Sequence, residues 1–552
     1  MKSAPIKTSV QQVSDIIGDW GLWQLNIVVF SISIQLFLAF HTLAVSFYAP
    51  TIDYKCTDND ITSTTTTTTS ANNETNDYYC LNGCKNWTFD RSVFKSTIID
   101  EWQLVCDRQG LASLSQSLFM LGFALGAVIF SYLSDRFGRL PILWITVILE
   151  ILAGLSSGLA MNVTQFNISR VILGMVSNGN YLTTFMMVNE CVAPKYRSTF
   201  SVCIQMGWTA GYCLLPGIAY LLPDFRQLIL ATTIPQIVWL VWLYWIPESP
   251  RWLIAHQKWD RLELVVKQAV HMNSLPINDF DNQFESLKKS IVNNNEECVN
   301  KQLLTNDNNN NINTNNNNNK TKSSLWSVMQ SPNLRRTTLI MYFTWFVNSF
   351  VYFGISLNIG DLGGNLFINF LVAGLIEFPS FIFPIVAFKY IGRRPLIGGY
   401  MLLNGLSCFA VIPCLAMTAI WPRVTIAMIG KSFITSSFSV IYVYAAEVYP
   451  TVVRQVGVGS CSVAARVGSM LAPFVKDLNI YTGMSVVLSI YGSLSIADAV
   501  AAYFLPETRG QPIADTIDEA EQLNRRHNSK VAKINDKNKC DYKLHVITDN
   551  KV

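Results

Sequence analysis

The chain has 552 residues, of which 50% are hydrophobic and only 14% charged, with a mean hydropathy of +0.28. A soluble domain carries nearer a quarter charged residues, so much of this surface is not built to face water. A net charge of +4 spread over the whole length offers no basic face for nucleic acid, and no such partner is expected.

Apolar runs of about 20 residues, long enough to cross the hydrocarbon core, fall near 24–45, 111–131, 142–160, 166–187, 199–221 and 227–246. A second set lies near 337–358, 365–388, 396–417, 424–445, 456–476 and 483–504. The expected fold is an all-α membrane protein with twelve transmembrane helices in two six-helix halves. The first run lacks a charged leader and a small-residue cleavage site, so it reads as an uncleaved anchor in contact with lipid. The expected organisation is an N-terminal segment 1–23, a first half 24–246, a linker 247–336, a second half 337–505 and a tail 506–552.

Basic residues set the orientation. Arg136 and Arg139 follow span 2, Lys195 and Arg197 follow span 4, and Lys389, Arg393 and Arg394 follow span 8. These loops share one side, expected to be the cytoplasm, together with both termini, the linker and the tail. The opposite segment, 46–108, carries nine acidic against five basic residues. It holds Cys56, Cys80, Cys84 and Cys106, which on an oxidising face read as two disulfides with three possible pairings. The segment lacks histidine, and no metal or other cofactor is expected. Its sequons at Asn73 and Asn86 are glycosylation candidates, whereas those at Asn162 and Asn167 sit at a membrane edge and are expected to be unused. Two low-complexity stretches stand out: threonine-rich 62–70, and 293–324 with its asparagine run, which is too polar to bury a core and is expected to be disordered.

The halves repeat each other. Asp135-Arg136-Phe137-Gly138-Arg139 after span 2 is echoed by Gly392-Arg393-Arg394 after span 8. Glu190 with Arg197 at the end of span 4 is echoed by Glu447 with Arg454 at the end of span 10. Pro247-Glu248-Ser249 is echoed by Pro506-Glu507-Thr508. The offsets are 254, 257 and 259 residues, and such a six-plus-six repeat is how rocking transporters are built. Gly138 suits a tight turn, while Asp135, Arg136, Arg139, Glu190, Arg197, Glu248, Arg251, Arg393, Arg394, Glu447 and Arg454 are expected to form a charged cytoplasmic gate. The plainer reading is positive-inside anchoring without a switch.

The stretch Ser131-Tyr-Leu-Ser-Asp135-Arg-Phe-Gly138-Arg139 resembles the signature loop of the major facilitator superfamily, with Ser131 where glycine is usual. Three further stretches resemble the organic cation, carnitine and organic anion transporter family within it. They are Ser96-Thr-Ile-Ile-Asp-Glu-Trp-Gln-Leu-Val-Cys106, Glu248-Ser-Pro-Arg-Trp-Leu253 and Tyr444-Ala-Ala-Glu447-Val-Tyr-Pro-Thr-Val-Val-Arg454. The long cysteine-bearing loop is also that family's mark, and spans 10 to 12 look closest to the carnitine and organic cation branches.

Ionisable residues inside spans are costly and point to function by default. His41, Glu377, Arg466 and Asp498 fall near mid-depth, and Lys431 nearer the start of span 10. Gly430-Lys431-Ser432 is not a phosphate loop, because position 425 is threonine and no strand precedes it. Arg466 among small residues suits bidentate capture of a carboxylate. The resemblance implies the same, since the anion and carnitine branches place arginine there and the cation branch aspartate. Glu377 matches an acidic position of the cation branch, and Phe381 stands where anion transporters have a second cation. The alternative is an internal Arg466–Glu377 ion pair. Trp345 and Tyr352, seven apart on one helix face, suit cation–π capture of a quaternary ammonium or ordinary packing. Tyr442, Tyr444, Gln205 and Trp208 are further lining candidates, His41 reads as packing, and Asp498 has no assigned role.

The expected function is transport of a small organic ion by alternating access, most naturally a cation or a zwitterion such as carnitine. An organic anion exchanger is the alternative, and a sugar-type facilitator fits less well because a neutral sugar needs no buried charge. A receptor or channel would not need the repeat, and no constellation for an enzyme is visible. A coupling ion, sodium or proton, is left open.

Overall fold

The computed structural model describes residues 16–57, 84, 86–193, 195–275, 280–289, 325–450 and 453–509, with Val13, Ile517, Glu519 and Glu521. The tracts 62–70 and 293–324, Asn73, Cys80 and most of the tail lie outside the described residues.

Twelve helices among the described residues are long and apolar enough to cross a membrane. In chain order they are α1 (Leu22–Leu43), α2 (Gly110–Phe137), α3 (Arg139–Gly158), α4 (Val163–Cys191), α5 (Arg197–Leu221) and α6 (Phe225–Trp245). The second set is α7 (Pro332–Leu357), α8 (Leu366–Tyr390), α9 (Arg393–Leu415), α10 (Trp421–Val448), α11 (Arg454–Thr482) and α12 (Met484–Ala502). The protein is an all-α, multi-pass membrane protein.

Several helices outrun their apolar stretches. At 28 or 29 residues, α2, α4, α10 and α11 measure roughly 42 Å at 1.5 Å per residue, against a hydrocarbon core of about 30 Å. Hydropathy ends where lipid ends, but the backbone hydrogen bonds continue into the polar motifs. Asp135, Glu190 and Glu447 therefore stand on helical turns rather than in loops. In α6 the helix narrows to a 3-10 turn at Ile234–Gln236, where Pro235 lacks a backbone donor.

Contacts divide the chain into two compact units, Met1–Asn319 with Asn365–Leu375, and Lys320–Gly364 with Ile376–Val552. In the first, α2 lies directly along α4. A Cβ at Gly122 or Gly126 would collide with the carbonyls of Val171 and Met175, so only glycine permits this approach. Its core gathers Trp23, Ile27, Phe30, Leu143, Val147, Trp239 and the inward face of the helix Trp259–Met272. In the second unit a separate core forms around Trp345, Ile397, Ile441, Tyr444, Tyr449 and Ala465.

The segment between α1 and α2 is anchored by a short antiparallel pair, β1 (Tyr54–Cys56) and β2 (Trp87–Phe89), with Cys56 opposite Trp87. Cys56 is disulfide-bonded to Cys84, and Cys106 is also disulfide-bonded. Arg226 pairs with Glu101 and donates to the carbonyls of Gly158 (3.0 Å) and Ala160 (2.7 Å), tying this segment to the end of α3. Asn86 is exposed. Asn162 caps α4 through its side chain, and Asn167 accepts a hydrogen bond from Ser115.

Candidate functional site

The charged motifs form one cluster in each unit. In the first, Arg139 Nε and Nη2 donate to the two oxygens of Glu190 (3.1 and 2.8 Å), while Nη1 meets Asp135 (2.8 Å) and the Ser134 carbonyl (2.7 Å). Glu248 accepts from the backbone N–H of Arg139 at 2.8 Å and of Leu140 at 3.3 Å, closing the N-terminus of α3 with negative charge. Burial pushes the Glu248 carboxyl above its ordinary value, and these backbone donors oppose the shift. Gly138 makes the cap possible: φ is +112° there, and a Cβ would stand 2.5 Å from Glu248 Oε2.

The second unit repeats this. Arg393 Nη2 donates to Glu447 at 3.0 Å, Thr508 donates to the same carboxylate at 2.6 Å, and Glu507 accepts from the backbone N–H of Arg393 and Arg394 (3.0 and 3.3 Å). Arg197 and Arg454 occupy equivalent places, each donating through Nε at 3.3 Å to a carbonyl at the end of the preceding helix, Val192 and Tyr449. The outermost residues depart from symmetry. Trp252 Nε1 donates to the Asp135 carbonyl at 2.8 Å, whereas Arg509 donates to the carbonyls of Tyr390 and Lys389 (2.6 and 2.8 Å). Arg136 and Arg394 lie over the rings of Phe137 and Tyr503 (5.4 and 4.3 Å), and Arg251 is exposed.

Inside the second unit, α7, α8 and α10 bring together a buried ionic group. Glu377, fully buried on α8, pairs with Lys431 of α10 at 3.2 Å and accepts from the Tyr352 hydroxyl at 2.7 Å. Lys431 Nζ donates to Ser356 Oγ at 2.8 Å and lies 4.6 Å above the Tyr352 ring. The cation beside Glu377 is thus Lys431, where the sequence led us to weigh Arg466. Hydropathy placed Lys431 near a helix start, but α10 begins at Trp421, so residue 431 is already three turns in.

From Tyr352 an aromatic ladder runs to Phe438 (6.0 Å), on to Tyr442 (5.7 Å) and then to Trp345 (4.5 Å). Trp345 and Tyr352 are joined through α10 rather than forming a cage on α7 alone. Tyr442 is 41% exposed on α10, and Arg466 is half-buried on α11. Phe381 is half-buried one turn beyond Glu377. Asp498 is fully buried on α12, and among the described residues neither carboxylate oxygen has a close hydrogen-bond partner.

Gln205 belongs to the first unit, where it accepts from Gln35 and donates to the Tyr181 hydroxyl, both at 3.3 Å. His41 is buried with its ring 2.7 Å from the Gln236 amide. Sequence reading passed over three groups here and in the ladder. Arg170 is buried against the rings of Phe119 (4.2 Å) and Tyr48 (5.6 Å) and donates to the His41 carbonyl and Gln116 (3.0 and 3.2 Å). Glu150 is buried on α3 and accepts from Ser177 at 2.7 Å and from Asn180. Phe438 completes the ladder. The first two were legible as charges within apolar spans; Phe438 looked like any core phenylalanine.

The family pattern described as sugar (and other) transporter matches residues 28–519. The chain is 32% identical to the organic cation transporter protein of Drosophila melanogaster, over 92% of this chain and 94% of that protein. It is 32% identical to the human organic cation/carnitine transporter 2, over 80% of this chain and 74% of that one. Among solved structures, the inward-open xylose transporter XylE from E. coli superposes with a TM-score of 0.58 at 18% identity, covering 91% of this chain and 99% of that chain, which shows the shared fold. The chain belongs to the sugar (and other) transporter family of the major facilitator superfamily, alongside the organic cation and carnitine transporters.

Proposed function

We propose that this protein carries small organic ions across the plasma membrane by alternating access, with organic cations or zwitterions such as carnitine as its substrates. The observation that carries this reading is one unit holding both halves of a zwitterion-recognition chemistry. Glu377 with the Tyr352–Phe438–Tyr442–Trp345 ladder suits an ammonium group, and Arg466, half-buried on α11 of the same unit, suits a carboxylate. The names of the relatives support the same substrate class. Cytoplasmic termini are supported by Arg136, Arg197, Arg393 and Arg394 flanking the helix ends, and by disulfides in the acidic segment between α1 and α2. In this reading Arg139–Glu190–Glu248 and Arg393–Glu447–Glu507 form the cytoplasmic gate, with neither enzymatic activity nor nucleic acid involved. Sodium or proton coupling is compatible with it.

A second reading, an organic anion exchanger, draws on Lys431 and Arg466 together, two cations within the helices of the second unit. Uptake of tetraethylammonium, carnitine and an aromatic anion, with and without sodium, separates the two. Surface-expressed protein that takes up none of them refutes both. Arg466→Asp is expected to depress carnitine uptake at least ~10-fold more than tetraethylammonium uptake, the loss of roughly one buried charge pair. Equal losses count against a carboxylate contact.

A further inference from the structure

We propose that Glu377, Tyr352 and Ser356 form an ammonium-binding subsite that the protein fills with its own Lys431, so that a cationic ligand enters by displacing a tethered competitor. The inference rests on the reading of Glu377 and Tyr352 as ligand-binding residues and adds the identity of what holds the site at rest.

An alkylammonium in a low-dielectric pocket needs a carboxylate for charge, an aromatic face for its polarisable surface and a neutral acceptor for a remaining N–H. Lys431 Nζ has all three: Glu377 Oε1 at 3.2 Å, the Tyr352 ring at 4.6 Å and Ser356 Oγ at 2.8 Å. The Tyr352 hydroxyl, donating to the same Glu377 oxygen at 2.7 Å, holds carboxylate and ring in register. Lys431, Glu377 and Ser356 are fully buried, so the ammonium is stripped of water as a bound ligand would be. A pair that served only as structure would need no aromatic face under the charge, and replacing such a pair with apolar side chains is often neutral or stabilising.

Alternating occupancy gives this arrangement a use. With Lys431 in place the Glu377 charge is neutralised in the empty protein; a substrate cation takes over Glu377 and Tyr352, and Lys431 must move. Quaternary ammonium ligands, which lack N–H, would use Glu377 and the ring but not Ser356, while primary amines would use all three.

The test is replacement of the tether by a free ligand. Lys431→Ala removes Cγ, Cδ, Cε and Nζ, the atoms that n-propylammonium supplies. Melting temperatures are measured for detergent-purified wild type, Lys431→Ala and the double variant Lys431→Ala/Glu377→Gln. Each is read with n-propylammonium chloride, with 1-propanol, and with sodium chloride at matched ionic strength. Lys431→Ala is expected to melt below the wild type, and n-propylammonium to recover at least half of the loss, while 1-propanol recovers none. The double variant is expected not to respond, and the wild type only at amine concentrations well above those that rescue Lys431→Ala, because the free amine must there compete with the tethered side chain. Absence of recovery in Lys431→Ala, or equal recovery in the double variant, overturns the proposal. If Lys431→Ala accumulates only in cells grown with the amine, that is the same rescue. If it accumulates under neither condition while the double variant does, the proposal fails. The assay does not depend on transport, so wild-type uptake of tetraethylammonium or carnitine with no rescue would sink this inference and leave the transport reading standing.

Discussion

The paired caps offer a test in which one unit is the control for the other. Gly138 and Gly392 occupy equivalent places before α3 and α9, and in both a Cβ would collide with the capping glutamate, Glu248 or Glu507. Their backbones differ: Gly138 has φ +112° and ψ +162°, open only to glycine, whereas Gly392 has φ −69° and ψ +161°, which any residue adopts. Gly392→Ala should therefore cost only the displaced carboxylate, about 1 kcal/mol for a lost N-terminal cap. Gly138→Ala should cost that plus about 1–3 kcal/mol of backbone strain, or about 2–4 kcal/mol in all. The assay is the unfolding midpoint of detergent-purified variants followed by tryptophan fluorescence, with Glu248→Gln added to the Gly138→Ala background. Gly138→Ala is expected well below Gly392→Ala, and Glu248→Gln should add little once its cap is already displaced. Equal midpoints for the two alanine variants, or full additivity of Glu248→Gln, would refute the reasoning.

Asp498→Asn keeps the shape of a buried carboxylate while removing a charge that burial disfavours, so the variant should melt at or above the wild type; a fall of several degrees would mean the charge is compensated. The Cys56–Cys84 disulfide closes a span of 28 residues, for which chain entropy gives about 3–4 kcal/mol. Cys56→Ser/Cys84→Ser is expected to render the segment between α1 and α2 markedly more sensitive to limited proteolysis, and unchanged cleavage would show that the rest of the segment holds itself.

Much of this protein was readable before any coordinates. The membrane environment demands long apolar helices because lipid satisfies no backbone hydrogen bond, so hydropathy alone revealed twelve spans. The two-fold repeat was also legible, because the same cap is built twice from the same residue types: Gly138 with Glu248, and Gly392 with Glu507. Glu377 and Arg466 stood out as charges within apolar spans, whereas Trp345 and Tyr352 were candidates by their shared helix face alone, because exposed aromatics such as Phe383 and Phe409 also occur in the spans.

What the sequence could not supply was which charge meets which. Lys431 and Arg466 are both cations in apolar helices, and nothing local tells which faces Glu377; that depends on how α7, α8 and α10 rotate against one another. Phe438 joins the ladder for the same reason, its chemistry identical to that of a packing residue until its neighbours are known. Helix-forming pattern is local and survives in one dimension. The pairing of buried charges is a property of helix packing, and only the tertiary structure decided that Lys431 is the ammonium closing over Tyr352 and Glu377.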